Sequence, residues 1–451
     1  MLDLKQAALQ MFRETLAAID IPAAMRRKLS REDSHIHVGG AVLDLAPFER
    51  ICAVAIGKAS VAMACGLAEL LSPAFSADGI VVTPSLAKKV PSGFRAIVAG
   101  HPFPNEGSFA AGRAILDMLA TVNERTLVFF LLSGGGSALV EQSLDPAVGL
   151  ADMQALSRLL VTCGASIDEI NAVRKHLSAV KGGRLSVAAP AAMKVTLGVT
   201  DVPDGRESAL ASGPTLPDPT TISDACIVIE RYGLLAKLPA SIRARFERPG
   251  SIPETPKPGD PAFANTSYEL IASPQQALTA AAEAALARHV TPIVLSDRIE
   301  GEARDIAAMH AAIAVQLRAG QFRVGNDIIA LPAVLLSGGE TTVTVQGNGH
   351  GGRNSEFLLA LAAALAKDPG GAERIAALAC DTDGIDGTED NAGAIVYPNT
   401  LARAASRGIA IKQAIAENDA YGFFAALGDL VVTGPTLTNV NDFRAILVLA
   451  R

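Results

Sequence analysis

Apolar and polar positions alternate between two rhythms along this chain, and the alternation predicts the architecture. Short aliphatic runs recur in the first half: ICAVAIG (51–57), GIVVT (79–83), RAIVAG (95–100), TLVFFLLSGGGS (126–137) and KVTLGVTDV (194–202). Each is too short for a helix, is rich in β-branched or aliphatic residues, and empties into a turn bearing Gly or Asp. Helix-like stretches separate them, which predicts a mostly parallel, doubly wound sheet covered by helices on both faces. A helix is placed from Ser166 by a capping box with Glu169. Its apolar stripe is Ile170, Val173, Leu177 and Val180, and Gly182 and Gly183 are expected to end it. Arg174, Ser178 and Lys181 would then share a polar face beside that stripe.

The pattern breaks at RPGSIPETPKPGDPAF (248–263), where five prolines interrupt the aliphatic runs. This stretch reads as a linker or an extended excursion, and the boundary placed there divides the chain into an N-terminal Rossmann-like α/β domain (1–250) and a C-terminal α/β domain (264–451). YELIAS, TPIVLSD, AVLLSGG, TTVTVQG, IAALACDTDG and DLVVTGP supply the second set of strands.

Composition narrows the class. The chain has 451 residues, 49% hydrophobic and 19% charged, which is globular rather than disordered. Its net charge of −7 argues against a general nucleic-acid binder, so any basic site must be local. Cys52, Cys65, Cys163, Cys226 and Cys380 form no CxxC pair and read as free thiols in a reducing cytoplasm. The opening helix lacks the order of a signal peptide, and no apolar run reaches the ~20 residues of a membrane span. A cytoplasmic protein with no membrane partner is expected; a homodimer is allowed but not required.

Candidate chemistry lies in the turns. The richest is LLSGGETTVTVQGNGHGGRNSE (335–356): a strand, a turn with Ser337 and Glu340, and a second strand expected over Thr342 to Gln346. A glycine loop follows, ending in Gly351, Gly352 and Arg353 before a helix expected over Phe357 to Ala366. Glycines let amides approach a ligand, a helix start adds unpaired N–H groups, and Arg353 offers a planar fork to phosphate or carboxylate. In SGGGS, Ser133, Gly134, Gly135, Gly136 and Ser137 form a nest for an anion. Lys58 in AIGKAS follows a buried strand, although GKAS lacks the P-loop spacing.

DVPDGRES places Asp201 at the end of a strand, beside Asp204, Arg206 and Glu207, where a general base or a metal ligand could stand. DTDGIDGTEDNAG carries Asp381, Asp383, Asp386, Glu389 and Asp390; oxygen ligands on a glycine loop favour Mg²⁺, though the spacing is not that of an EF-hand. His101 and His350 sit in shaped loops and read first as structural histidines.

Taken in order, AIGKAS, GHPFPNEGS, LLSGGGSALV, VRKHLSAVKGGRL, DVPDGRESALASGPT, LSGGETTVTVQGNGHGGRNSEF, DTDGIDGTEDNAGA and VVTGPTLTNVND resemble the bacterial glycerate 2-kinase family. The second domain of that family is often called MOFRL, and its members were long labelled hydroxypyruvate reductases. The resemblance implies two α/β domains with the active site in the cleft between them. It implies ATP- and Mg²⁺-dependent phosphorylation of D-glycerate to 2-phosphoglycerate, with small molecules as the partners. Lys58, Arg353 and Asp201 match the motif Lys, Arg and strand-end Asp. On this reading Lys58 and Arg353 clamp the transferring phosphoryl group and Asp201 is the base. Asp383 and Asp386 would hold Mg²⁺. Ser133–Ser137, Arg174, Lys181, Gly351 and Gly352 would hold substrate or nucleotide. The alternative is an NAD(P)H-dependent hydroxypyruvate reductase, but no GxGxxG follows a strand here.

Overall fold

The computed structural model describes residues 4–86, 89–200, 206–248, 250–436 and 438–450. The chain forms two compact units. One is Ile21–Ile271; the other joins Met1–Asp20 to Ala272–Arg451. The helix α1 (Leu4–Ala18) therefore belongs with the C-terminal half, although the sequence pattern assigned it to the N-terminal domain.

The Ile21–Ile271 unit is built on a six-stranded sheet. Its strands are β1 (Arg50–Ile56), β2 (Asp78–Thr83), β3 (Phe94–Val98), β4 (Thr126–Ser133), β5 (Met193–Val199) and β6 (Thr266–Ala272). They lie in the order β3-β2-β1-β4-β5-β6. The pairs β1–β2, β2–β3, β1–β4 and β4–β5 are parallel, as the short runs predicted. Cys52, Val54 and Ile56 share a core with Val128, Phe130 and Leu132 and with Ala111, Ile115 and Leu119 of helix α3 (Glu106–Leu119). The alternate residues Ala53, Ala55, Phe129 and Leu131 are equally buried, beneath helix α2 (Ser60–Leu71) and its neighbours. Burial on both faces explains why these strands read as continuous apolar runs rather than alternating ones.

Two expectations change here. The capping box at Ser166 forms, but helix α4 (Ile167–Leu177) stops short of the predicted end, with Ser178 as its C-cap. Ser178 leaves the helix because its hydroxyl donates to Glu141 at 2.6 Å and the chain bridges to Ser143. Of the two readings of the proline-rich stretch, the extended excursion holds and the free linker does not: Pro256 accepts from the Asp218 amide at 2.9 Å, and Glu254 accepts from the Ile222 amide at 2.9 Å. Side-chain and backbone bonds of this kind let an irregular segment line a unit without leaving its polar groups unpaired.

The other unit holds a mixed sheet. Its strands are β7 (Thr291–Val294), β8 (Ala333–Gly339), β9 (Ile375–Asp381), β10 (Gly393–Val396), β11 (Leu430–Val431) and β12 (Asp442–Val448). Their order is β7-β8-β12-β9-β10-β11, with β7–β8 parallel and β12 antiparallel to both β8 and β9. One face packs against α1 and the helix Pro274–Leu286; Phe12 stacks on Phe443 with centroids 5.6 Å apart. The other face carries the helices Ala303–Arg318 and Arg353–Leu365, packed through Ala307, Phe357 and Leu361. The strand expected over Thr342 to Gln346 shrinks to Thr341–Thr342. Its remaining amides find side chains instead of a neighbouring strand. Glu302 accepts from Thr344 N at 3.1 Å, and Asn418 accepts from Gln346 N at 2.8 Å.

Candidate active site

In the first sheet the strand order reverses between β1 and β4, and such a switch point leaves a crevice at the strand ends. Two of the polar turns meet there. The Lys58 amide donates to Gly134 O at 3.0 Å, and the Ala59 amide donates to Ser133 Oγ at 3.0 Å. Gly57 must be glycine, because its φ is +125° and Ser133 occupies the space a Cβ would take. Gly135 has φ +83°, and a Cβ there would stand 3.0 Å from His101 Cδ2 and 3.6 Å from Lys58 Cγ. Lys58, the triple-glycine turn and His101 therefore share one place. Partial burial, and then the Lys58 ammonium, hold the His101 pKa below its ordinary value, favouring a neutral ring.

The turn continues into the short helix Gly136–Leu139. Ser137 and Ser212 share a hydrogen bond of 2.7 Å, and Ser212 donates to Asn171 on α4 at 2.9 Å. Arg174 lies one helical turn beyond Asn171. Lys181 is not presented to this site. It is buried, with Nζ donating to Glu141 Oε2 at 2.7 Å and to Val140 O at 2.9 Å. Burial lowers its pKa while Glu141 opposes the shift. Asp201 lies outside the described residues.

In the other unit, Arg353 opens the helix Arg353–Leu365, and its guanidinium is shared among three carboxylates. Nε donates to Asp442 at 2.7 Å, one terminal nitrogen to Glu340 at 2.8 Å, and the other to Asp381 at 2.8 Å. Burial alone would lower the Arg353 pKa, but Asp442, Asp381 and Glu340 outweigh it and raise it. Asp381 is buried at the end of β9. That burial, with the nearby Asp383 and Asp442 charges, pushes its pKa well up against the pull of Arg353. Beside this cluster a cavity of about 290 Å³ is lined by Thr341, Val343, Gly351, Gly352, Arg353 and Asn418, among others.

Asp386 takes a different place from the one its motif suggested. Both oxygens cap the helix Arg353–Leu365: one accepts from the Asn354 amide at 2.9 Å, the other from the Ser355 amide at 2.8 Å and from the Ser355 hydroxyl. Asp383 turns inward on its own loop, accepting from the Ile385 amide at 2.9 Å. Among the described residues, no group of three His, Cys, Asp or Glu side chains is placed to hold a metal ion. The other acids of this loop are also engaged, Glu389 with His350 at 3.1 Å and Asp390 with the Tyr421 hydroxyl at 2.9 Å. The carboxylates around Arg353 were legible one by one, with Glu340 in its turn, Asp381 in the acidic motif and Asp442 at the end of VVTGPTLTNVND, but no spacing in the sequence paired them with Arg353.

Two layers of α/β structure, each with polar loops at its strand ends, define a two-unit α/β enzyme class. Residues 7–247 match the family described as "Domain of unknown function (DUF4147)" and residues 333–442 the "MOFRL family". A D-glycerate 2-kinase of Thermotoga maritima is 36% identical over 447 residues, covering 99% of both chains. An Agrobacterium vitis protein, provisionally named hydroxypyruvate reductase, is 46% identical over 405 residues, 89% of this chain and 88% of that one. The crystal structure of a glycerate kinase from Thermotoga maritima superposes with a TM-score of 0.84 at 34% identity, covering 99% of each chain. The chain belongs to the glycerate kinase family that these relatives represent. Among the described residues, no helix is long and apolar enough to cross a membrane.

Proposed function

We propose that this protein transfers a phosphoryl group from ATP to the 2-hydroxyl of D-glycerate, giving 2-phosphoglycerate. The observation that carries this reading is the meeting of Lys58 with the Gly134–Gly136 turn at the switch point, in a chain 36% identical to a named D-glycerate 2-kinase. Phosphoryl transfer asks little covalent chemistry of a protein; it asks for positioning and neutralisation of spreading charge. Lys58 supplies a cation beside a nest of amides. Arg353 supplies the second cation. Of its three partners Glu340 is the one able to yield to a phosphoryl oxygen, since 57% of that side chain is exposed against 7% for Asp381 and 0% for Asp442. Asp201 remains the proposed acceptor of the substrate's hydroxyl proton.

The Gly351–Gly352 loop and its cavity suit the nucleotide, because glycines line the wall and Arg353 stands within it. Asp383 and Asp386 do not fit a resident Mg²⁺ site, because both oxygens of Asp386 are turned to the first turn of the helix it caps. A divalent cation is better understood as entering with the nucleotide phosphates, as Mg²⁺ commonly does.

The test is a parallel assay. Purified protein with D-glycerate, ATP and Mg²⁺ should form ADP, and the phosphorus NMR spectrum of the product should be that of the 2-phosphate. Lys58→Ala and Arg353→Ala should each lower kcat by about two orders of magnitude or more. NADH oxidation with hydroxypyruvate and no ADP formation would establish the reductase that the Agrobacterium vitis relative's name suggests.

A further inference from the structure

Three consecutive basic residues stand in the last turn of helix α4, and they meet different fates. Lys175 pairs with Asp218 at 3.0 Å, both side chains buried. His176 is buried, bonded to Ala172 O at 2.7 Å and to Glu254 at 3.3 Å. Arg174, between the Asn171–Ser212–Ser137 chain and the Lys181–Glu141 pair, makes no hydrogen bond and no ion pair among the described residues. Burial lowers its pKa, and among the described residues the Glu141 charge opposes that. That charge is already committed, since Glu141 accepts from Lys181 at 2.7 Å and from Ser178 at 2.6 Å.

Among the described residues the local balance is therefore two cations, Arg174 and Lys181, against one carboxylate, Glu141. The C-terminal end of α4 supplies at most about half a unit of negative charge, too little to offset the excess. A half-buried guanidinium without a side-chain partner costs stability and is kept where a ligand completes it. Its planar fork matches a carboxylate in a two-point contact.

We infer that Arg174 receives the carboxylate of the substrate, and so makes the site at the switch point selective for small hydroxy monocarboxylates. The inference rests on the kinase reading for the reaction, but not for the binding. Ser137, half-buried beside the Gly134–Gly136 turn, is placed to face the same ligand's hydroxyl groups. Lys181, which the sequence offered for this role, is excluded by its own burial and bonding.

The experiment is a cycle between protein and substrate. Steady-state kinetics are measured for the wild type, Arg174→Met and Arg174→Lys, each with D-glycerate and with its neutral carboxamide. The wild type should prefer the acid by about 100-fold or more in kcat/KM, as sites built around a polar partner do. Arg174→Met should lose most of that preference, with KM for ATP unchanged. Arg174→Lys, which keeps the charge but not the fork, should fall between them. The melting temperature of Arg174→Met should be equal to or higher than that of the wild type, because an uncompensated charge is removed.

An Arg174→Met protein that still prefers the acid as strongly, or one that loses ATP affinity instead, overturns the assignment. If the wild type does not phosphorylate glycerate, calorimetric titration with D-glycerate and with D-lactate still decides the matter. Binding lost in both Arg174 variants supports it, and binding retained refutes it. Should the Met variant not fold, the Lys variant carries the same comparison.

Discussion

Asp442 and Arg444, two residues apart on β12, meet at 2.6 Å with both side chains fully buried. The same carboxylate accepts from Arg353 Nε at 2.7 Å and from the Asn354 amide nitrogen at 2.8 Å. One buried anion thus holds two guanidinium groups, one of them the proposed phosphate ligand. Arg444 also lies 5.3 Å from the centroid of the Phe357 ring, so its cation is packed into the sheet face rather than hydrated. Replacing Asp442 by Asn leaves Arg444 buried without its counter-ion. Removing one partner of such a pair costs about 3–5 kcal/mol. Urea denaturation of Asp442→Asn should show a loss of that order, together with a fall in kcat through the misplaced Arg353. A variant with wild-type stability would remove the network from the account.

Asp386 invites a cleaner separation of two roles. Its oxygens satisfy amide groups at the first turn of the helix Arg353–Leu365, groups that have no partner within the helix. Asp386→Asn should lower stability by about 1–2 kcal/mol and leave the Mg²⁺ concentration for half-maximal activity unchanged. A tenfold rise in that concentration, with stability intact, would restore Asp386 as a metal ligand.

The stability of the second unit should carry the mark of His310. Its ring is buried, with Nδ1 donating to Ile306 O at 2.8 Å and Nε2 bonded to Ser337 Oγ at 2.9 Å. Burial, with Arg444 adding to it and the Ile306 bond opposing, depresses its pKa to about 4. The unfolded histidine titrates near its ordinary value, so between about pH 6.5 and pH 4 the unfolded chain binds one more proton. Stability is then full above that window and declines as pH falls through it, by about 3 kcal/mol in all. His310→Gln should flatten this part of the stability profile, measured by urea denaturation at successive pH values. An unchanged slope would assign the acid sensitivity to other groups.

How far the sequence announced this molecule depends on whether a residue's task is local. The parallel strands of the first sheet were legible because both faces are buried and Val, Ile and Leu run without interruption. The Ser166 cap was legible because its partner stands three residues away. By contrast, the strand over Thr342 to Gln346 failed because Asn418 and Glu302, distant in sequence, take its amides. The helix carrying Arg174 was drawn too long because Glu141 captures Ser178. The glycine and Lys58 turns were found from their composition, whereas the choice between Arg174 and Lys181 needed Glu141, which lies 40 residues from Lys181. Long-range pairing of charges is what a linear pattern does not record.

Two glycines allow backbone strain and close approach to be told apart. Gly135 and Gly164 have nearly the same dihedral, φ +83° and +84°. A Cβ on Gly164 would meet nothing within 4 Å, whereas one on Gly135 would press on His101 at 3.0 Å and stand 3.6 Å from Lys58 Cγ. Alanine at either site incurs the left-handed backbone penalty of about 1–2 kcal/mol. Only Gly135→Ala also pushes on the groups proposed to hold phosphate. The two variants should therefore melt at similarly reduced temperatures, while Gly135→Ala alone loses kcat, by about tenfold or more, as a displacement near 1 Å can cost up to about 100-fold. Equal activities in the two variants would show that the triple-glycine turn is kept for its fold and not for a ligand.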